Sequence, residues 1–348
     1  MKKIDIVTYC TWTSLGSILQ SLGLKSVLTD LGYSSCIWLD NQENMFTRTE
    51  IHSVKTAIKW LFEIMIHDKR VDAYQKRMNF ISQNLNITYY AKCEELAEKA
   101  DGDIWLAGSD QIWHPDNCNP AFFLDFTTER RRVSYAASMG VTEVRKEKQD
   151  AFSRLLRNFD EISVREQECV PVVRQYTDHS VNVHIDPTFL VSADEWRQYE
   201  RAYNINEPYI LLYMLYWDKS CKDKIKALKK ETGLRVFAIA NELSSVYADE
   251  VFYDVGVEEF LWLIDHAEYV VTSSFHGVAF SVIFNKRFAP VINPRSPSRI
   301  ENLLRVLEIP HFEIAQLCDA MVFDYQSVNE RIKEEKERSI RYLKKVLE

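Results

Sequence analysis

Apolar and polar positions along the chain alternate between two periods. Residues 4–9 form a short β-branched run, followed by a polar turn and then Leu15, Ile18, Leu19, Leu22, Val27, Leu28 and Leu31 at mostly helical spacing. Gly32 ends that predicted helix, and residues 35–39 read as the next strand. Strand, helix, strand in this order implies a βαβ unit and a parallel sheet. Residues 41–100 read as mostly helical and charged. A buried-type strand is predicted over 104–107, ending in Gly108-Ser109-Asp110-Gln111, with further short strands over 132–136, 161–164 and 181–185. Residues 186–207 read as a connection, because Asp186-Pro187 breaks the pattern and 204–208 is polar. Strands over 209–216, 234–240, 267–272 and 288–292 then repeat the alternation with helices. The tail from 328 sets Val328, Ile332, Ile340, Leu343 and Leu347 among many charges, the pattern of an amphipathic surface helix. The expected architecture is two α/β domains, Rossmann-like and with parallel sheets, facing each other across a cleft. The expected boundaries are 1–190, 191–325, and a terminal helix over 326–348 that packs back on the first domain.

Length agrees with this division, since 348 residues exceed one ordinary core. The formal charge is −8, with no basic face of the kind a sequence-independent nucleic-acid binder needs. Seven scattered cysteines, none in a CxxC spacing, imply reduced thiols and no zinc site. The apolar run near 209–217 is too short to span a bilayer, and Asp5 interrupts the start before a signal-peptide core can form. A cytoplasmic protein is therefore expected. Only nine glycines occur, and neither GxGxxG nor GxxxxGK[ST] is present, so dinucleotide and P-loop readings lose their main support.

Candidate chemistry sits where predicted strands end, which is where open parallel sheets bind ligands. The segment 272–277 leaves a strand through Ser273, Ser274, Phe275, His276 and Gly277 into a helix predicted from Val278. Hydroxyls and free N–H groups there suit an anion such as phosphate, and His276 suits proton transfer. A capping histidine without chemistry is the alternative. Asp110 follows a buried strand, where a carboxylate is costly unless hydrogen-bonded or used. Trp113 offers a flat face of the sort that sugars stack on, or else a core ring. His114 and Cys118 lack the further ligands a metal would need. Arg165, directly after a strand, can fork onto a carboxylate or phosphate, or form a surface pair with Glu166 or Glu168. Arg295 and Arg299 lie in a proline-stiffened loop before a helix. Asp186-Pro187 reads as a turn and His184 as a structural residue inside a strand.

In their order and spacing these segments resemble the polysaccharide pyruvyl transferase family. The carrying motifs are LGSILQ at 15–20, GSDQIW at 108–113, FFLDF at 122–126 with VSYAAS at 133–138, ISVRE at 162–166, HIDPT at 184–188 and SSFHG at 273–277. The resemblance implies a GT-B-like fold with the active site between its domains. It also implies transfer of the enolpyruvyl unit of phosphoenolpyruvate to a sugar or lipid-linked oligosaccharide, as a cyclic ketal. Under it His276 and Asp110 are catalytic. Arg165, Ser273, Ser274, Gly277 and Arg299 bind the donor, and Gly16, Ser109, Gln111 and Trp113 the acceptor. No cofactor beyond the co-substrate and no metal is implied. Many relatives carry Arg-x-His where this chain has Ser274-Phe275-His276, so the missing cation must come from elsewhere, with Arg165 and Arg299 as candidates.

Two other functions fit the same plan. A nucleotide-sugar glycosyltransferase would need an acidic residue for the ribose, and Glu258 or Glu259 would serve. A non-catalytic sugar-binding relative would explain the missing arginine. Were the acceptor lipid-linked, residues 50–80, with Trp60, Leu61, Phe62 and Ile64 among basic residues, would be the surface meeting a membrane; an ordinary packed helix is the simpler reading.

Overall fold

The computed structural model describes residues 2–41, 54–126, 129–216, 220–240, 247–294, 298–318 and 324–348, with the side chains of 54–68 left out. The proposed membrane-facing residues Trp60, Leu61, Phe62 and Ile64, and Arg295, therefore lie outside the described side chains. Among the described residues no helix is long and apolar enough to cross a membrane.

The first half supplies β1 (Lys3–Val7), β2 (Ser34–Asp40), β3 (Ile87–Tyr90), β4 (Ile104–Ala107), β5 (Arg131–Ser134), β6 (Ile162–Val164) and β7 (Val181–Val183). Its helices are α1 (Leu15–Asp30), α2 (Val54–Asn84), α3 (Glu94–Lys99), α4 (Gln149–Leu156) and α5 (Val170–Val173). A parallel sheet runs in the order β3-β2-β1-β4-β5. The parallel pair β6-β7 extends it through bridges from Val133 to Glu161 and Ala137 to Val164.

After α6 (Ala193–Arg197), the second half supplies β8 (Tyr209–Tyr213), β9 (Arg235–Ile239), β10 (Glu250–Phe252), β11 (Tyr269–Thr272) and β12 (Arg287–Pro290). Its helices are α7 (Cys221–Thr232), α8 (Val257–Asp265), α9 (Phe275–Ile283) and α10 (Ser298–Val306). Its parallel sheet runs β10-β9-β8-β11-β12. Strand for strand this is the order of the first sheet, so both sheets reverse direction at the same place: between β1 and β4, and between β8 and β11. Such switch points open a crevice at the strands' carboxyl ends.

The central strands carry residues such as Tyr209-Ile-Leu-Leu-Tyr213 and Ile104-Trp-Leu-Ala107, buried at every position. Helices cover both faces of a parallel sheet, so a central strand is apolar throughout and legible in the sequence. The two strands that the pattern did not predict, β3 and β10, are edge strands, half-exposed and flanked by charge. An edge strand needs no continuous apolar run.

α1 is buried along nearly its whole length, from Leu15 to Leu24 without interruption. It lies between its own sheet and the segment that follows β7. Asp186 caps a short 3-10 turn over Pro187–Leu190, which is buried, and a Cβ added at Gly23 would lie 2.6 Å from the Pro187 carbonyl oxygen. The connection after residue 186 is thus no free linker, as its early polarity suggested; its first residues are core.

Among the elements that tie the halves together are α2 and the terminal helix. From α2, Lys76 Nζ donates to the Asp254 carbonyl at 2.9 Å and pairs with Glu259 at 3.1 Å. Arg77 donates to the carbonyls of Val255 and Trp12, at 2.8 and 3.0 Å. The terminal helix α11 (Tyr325–Leu347) begins beside β12, where Tyr325 donates to the Lys286 carbonyl. It ends on the first half, where the Tyr342 hydroxyl donates to the Ser134 carbonyl at 3.0 Å.

The Gly23 contact is backbone against backbone, so a methyl group there has nowhere to go. Gly23→Ala is expected to destabilise the protein by about 1–3 kcal/mol, read as a lowered urea midpoint; an unchanged midpoint would mean that α1 and the 187 segment separate easily.

Candidate functional site

Both switch points open onto one place, and the residues after β4, β6, β7 and β11 meet there. Asp186 is at its centre and is buried. Its Oδ2 accepts from Arg165 Nη1 at 2.6 Å and from Ser109 Oγ at 3.1 Å. Its Oδ1 accepts from the backbone N–H and hydroxyl of Thr188, at 3.0 and 2.9 Å. The His276 Nε2 lies 3.8 Å from Oδ2. Burial alone would raise the carboxyl's pKa, but His276, Arg165 and the Thr188 N–H hold it below the usual carboxylate range. The sequence showed this residue as a turn former; only its place in the HIDPT motif pointed further.

Arg165 is buried and its surface-pair reading is corrected. Its Nε donates to the buried Glu166 at 3.1 Å, whose Oε1 also accepts from Ser138 Oγ at 2.6 Å. Its guanidinium lies 4.0 Å over the Phe275 ring. Glu168 pairs instead with Arg305, at 2.6 Å. Asn302 of α10 donates to the Arg165 carbonyl at 3.2 Å, so the second half grips this residue's backbone. Burial works against the charge, yet Glu166, Asp186 and Asp110 raise its pKa.

His276 lies in the first turn of α9, which starts at Phe275 and not at Val278 as the pattern suggested. The reason is Ser274, whose side chain accepts from the Gly277 N–H at 3.3 Å and caps the helix earlier. Burial pushes the imidazole's pKa below its ordinary value. Asp186 and Asp110 pull it back, and Arg165 and Arg299 push it further down. The ring fits because residue 16 has no side chain: a Cβ on Gly16 would lie 2.0 Å from His276 Nδ1.

Several assignments change. Trp113 is fully buried, donates to the Phe122 carbonyl at 3.1 Å and stacks on Phe123 at 5.6 Å, so it has no face for a sugar. Ser109 is buried against Asp186, and Gly16 against His276; both position other groups and neither faces an acceptor. Ser273 accepts from the Tyr216 N–H at 2.7 Å, and Ser274 is the cap, so neither hydroxyl is an open anion cradle. Gly277 permits close strand–helix packing, with Thr272 Oγ1 2.3 Å from where its Cβ would be. Gln111 is half-buried, its amide held against Gly140. Glu259 caps α8 through the Gly256 N–H and pairs with Lys76, while Glu258 pairs with Arg201 at 3.1 Å. Neither is free for a ribose.

Asp110 takes the left-handed conformation, with φ of 70°, which a short polar side chain tolerates. It acts electrostatically on His276, Arg165 and Arg299 together. Arg299 stands at the start of α10, where burial and the neighbouring Arg165 both lower its pKa. Among the described residues, three buried nitrogens around this centre have no hydrogen-bond partner: Arg165 Nη2, Arg299 Nε and His276 Nε2. Buried polar atoms without partners are costly, and a bound ligand is one way to satisfy them. A cleft of about 400 Å³ is lined, among the described residues, by Asp116, Gly140 and Arg145 from the first half and by Pro294 and Ser298 from the second.

His184 is structural, as expected. Its Nδ1 shares a 2.7 Å hydrogen bond with Ser163 Oγ, and the ring stacks on Tyr342 at 4.3 Å. Burial, and then the Arg338 charge, push its pKa down to about 3. The folded state keeps it neutral while the unfolded state binds a proton below ~6.5. Its contribution to stability is thus complete above that pH and falls away as pH drops toward 3. His184→Gln is expected to flatten the loss of stability between pH 6.5 and 3 in urea titrations; an unchanged slope would mean that the ring is solvated.

A sequence model described as polysaccharide pyruvyl transferase matches residues 15–295. The sequence matches none of the curated proteins compared with it. Similar solved structures include the UDP-GlcNAc 2-epimerase of Methanocaldococcus jannaschii, at 11% identity over 99% of each chain with a TM-score of 0.57. The S. aureus MnaA–UDP co-structure is similar at 13% identity, over 100% of this chain and 97% of that one, with a TM-score of 0.57. At such identities the likeness shows the fold alone, which is GT-B-like as the sequence implied.

Proposed function

Because the chain belongs to the polysaccharide pyruvyl transferase family, we propose that its site moves the enolpyruvyl unit of phosphoenolpyruvate onto a sugar of a surface polysaccharide or its precursor. The product is a cyclic pyruvate ketal, and phosphate is released. The observation that carries this reading is the set of unpartnered nitrogens on Arg165, Arg299 and His276. A donor with a phosphate and a carboxylate supplies the acceptors that the two guanidinium nitrogens lack, and brings a phosphate to the imidazole nitrogen, which can give or take a proton.

Charge sets a further condition. Arg165 and Arg299 face Asp110, Asp186 and Glu166, so these side chains carry one net negative charge with His276 neutral. A trianion is held there by directed N–H contacts and not by bulk potential. Asp186 and Glu166 are saturated with hydrogen bonds, whereas Asp110 opposes the donor directly. That places Asp110 on the acceptor side, where an incoming hydroxyl gives its carboxylate a partner beyond the Gln111 N–H that Oδ1 already accepts at 2.8 Å.

The bonds change as follows. One acceptor hydroxyl oxygen bonds to C2 of the donor while C3 gains a proton and that hydroxyl loses one. The second hydroxyl oxygen then displaces phosphate at C2, and its proton leaves with the phosphate or to solvent. His276 moves a proton beside the phosphate, and Asp110 positions or deprotonates the hydroxyl. Asp186 is a positioning residue: it orients His276 and stabilises the imidazolium when it forms. Arg299 stands in for the cation that relatives carry at the position of Ser274.

His276→Ala is expected to lose ~10²–10⁴-fold in phosphate release with unchanged circular dichroism; near-normal turnover removes His276 from the chemistry. Arg299→Ala and Asp110→Asn should move the donor KM in opposite directions. The first raises it ~10-fold or more through a lost charge-assisted bond. The second lowers both KM and kcat, because a repelling charge and a reacting group go together. Parallel shifts in the two variants would contradict this division of roles.

A further inference from the structure

Helix α10 meets the first half along one face. Arg299, Asn302 and Arg305 stand three residues apart on it, so their side chains leave the same side of the helix. Each of them engages the segment that follows β6, and in the same order along the chain. Arg299 acts electrostatically on Arg165. Asn302 Nδ2 donates to the Arg165 carbonyl at 3.2 Å, and its Oδ1 accepts from the Gln167 N–H at 3.1 Å. Arg305 Nη2 donates to Glu168 Oε1 at 2.6 Å and to Asn302 Oδ1 at 2.8 Å. We propose that Asn302 is a positioning residue: it fixes the register of α10 against residues 165–168 and so sets the separation of Arg165 and Arg299 at which both grip one anion. This rests on the anion-binding part of the transfer reading above and on no particular donor.

Like charge is the first argument. Arg165 belongs to the first half and Arg299 to the second, and two guanidinium groups repel. The elements that carry them move apart unless an attraction close by holds them. Helices α2 and α11 join the halves elsewhere, whereas Asn302 lies three residues from Arg299 and holds the carbonyl of Arg165 itself. The hold is neutral. An amide side chain offers donor and acceptor together, and here both serve the backbone. The Arg165 guanidinium therefore stays with Asp186 and Glu166, and the centre gains no further charge.

Burial is the second argument. Asn302 is 4% exposed, and a buried amide is costly unless it is hydrogen-bonded. Its backbone partners lie across the interface, so they are reached only when α10 seats in this register. The packing around it is the third argument. Arg165, Asp186, Phe275, Asn302 and Leu303 line one small cavity. Side-chain packing alone thus leaves the helix room to shift, and directed bonds decide where it stops. A shift of ~1 Å is enough to spoil a gripping geometry.

The test is a double-mutant cycle on the full chain, with inorganic phosphate as the probe, titrated by calorimetry without acceptor. Asn302→Ala and Arg299→Ala are each expected to weaken phosphate binding ~10-fold. In the Arg299→Ala background, Asn302→Ala should change nothing further, because the residue acts through the arginine it places. Asn302→Leu keeps the buried volume and should behave as Asn302→Ala does, which covers the case that the smaller residue does not fold. Amide hydrogen exchange over residues 165–169 gives a readout without ligand and should quicken in either variant. Unchanged phosphate affinity, additive losses in the cycle, or unchanged exchange over 165–169 would each overturn the proposal. Absence of phosphate binding by the native chain would overturn it together with the anion-binding reading. Turnover of phosphoenolpyruvate separates the remaining cases. A cycle as expected without phosphate release sinks the donor reading and leaves the role of Asn302 standing; phosphate release with additive losses sinks the role of Asn302 alone.

Discussion

A single buried carboxylate organises the site. Removing a charge from water is costly unless it is paired and hydrogen-bonded, and Asp186 has Arg165, Ser109 and Thr188 as donors, with His276 just beyond hydrogen-bonding distance. These partners come from the ends of four separate strands. Satisfying Asp186 therefore requires the loops after β4, β6 and β7 and the start of α9 to converge. At that convergence one nitrogen of Arg165 and one of His276 have no hydrogen-bond partner among the described residues.

The convergence also depends on close approach. α1 carries glycine at residues 16 and 23, the first against His276 and the second against the Pro187 carbonyl. A side chain at Gly16 would push α1 away from His276, and one at Gly23 would push it away from the segment that positions Asp186. From Leu15 to Leu24 the helix is buried around its whole circumference because it serves both halves, and its buried Ser17, Gln20 and Ser21 side chains are hydrogen-bonded to backbone carbonyls.

Two sheets of identical order meet at their switch points, and ties outside the cleft hold them there. α2 reaches across with Lys76 and Arg77, and α11 returns with Tyr342. The site is thus made of groups from both halves: His276 and Arg299 from the second; Asp110, Arg165 and Asp186 from the first. Arg299 next to Arg165 is tolerable only beside carboxylates, and the like-charge pair keeps a demand for an anion.

The sequence by itself determined the alternation of strands and helices, because buried parallel strands must be apolar throughout and helices must be periodic. It also located the strand ends near which His276, Asp110, Arg165 and Arg299 come together. It did not reveal the edge strands β3 and β10, whose half-exposed residues carry no run. Only the tertiary structure decided which polar residues face outward. Ser109, Ser273, Ser274, Gly277 and Trp113 look like site residues in one dimension. In three, the hydroxyls are spent on Asp186, the Tyr216 N–H and a helix cap, the glycine on packing, and the ring on the core. Asp186 shows the converse: an Asp-Pro step looks like a turn until the fold buries it among donors from distant strands. A hydrogen-bond partner far away in the chain leaves no local signature, so the centre of the site was the residue that the sequence showed least.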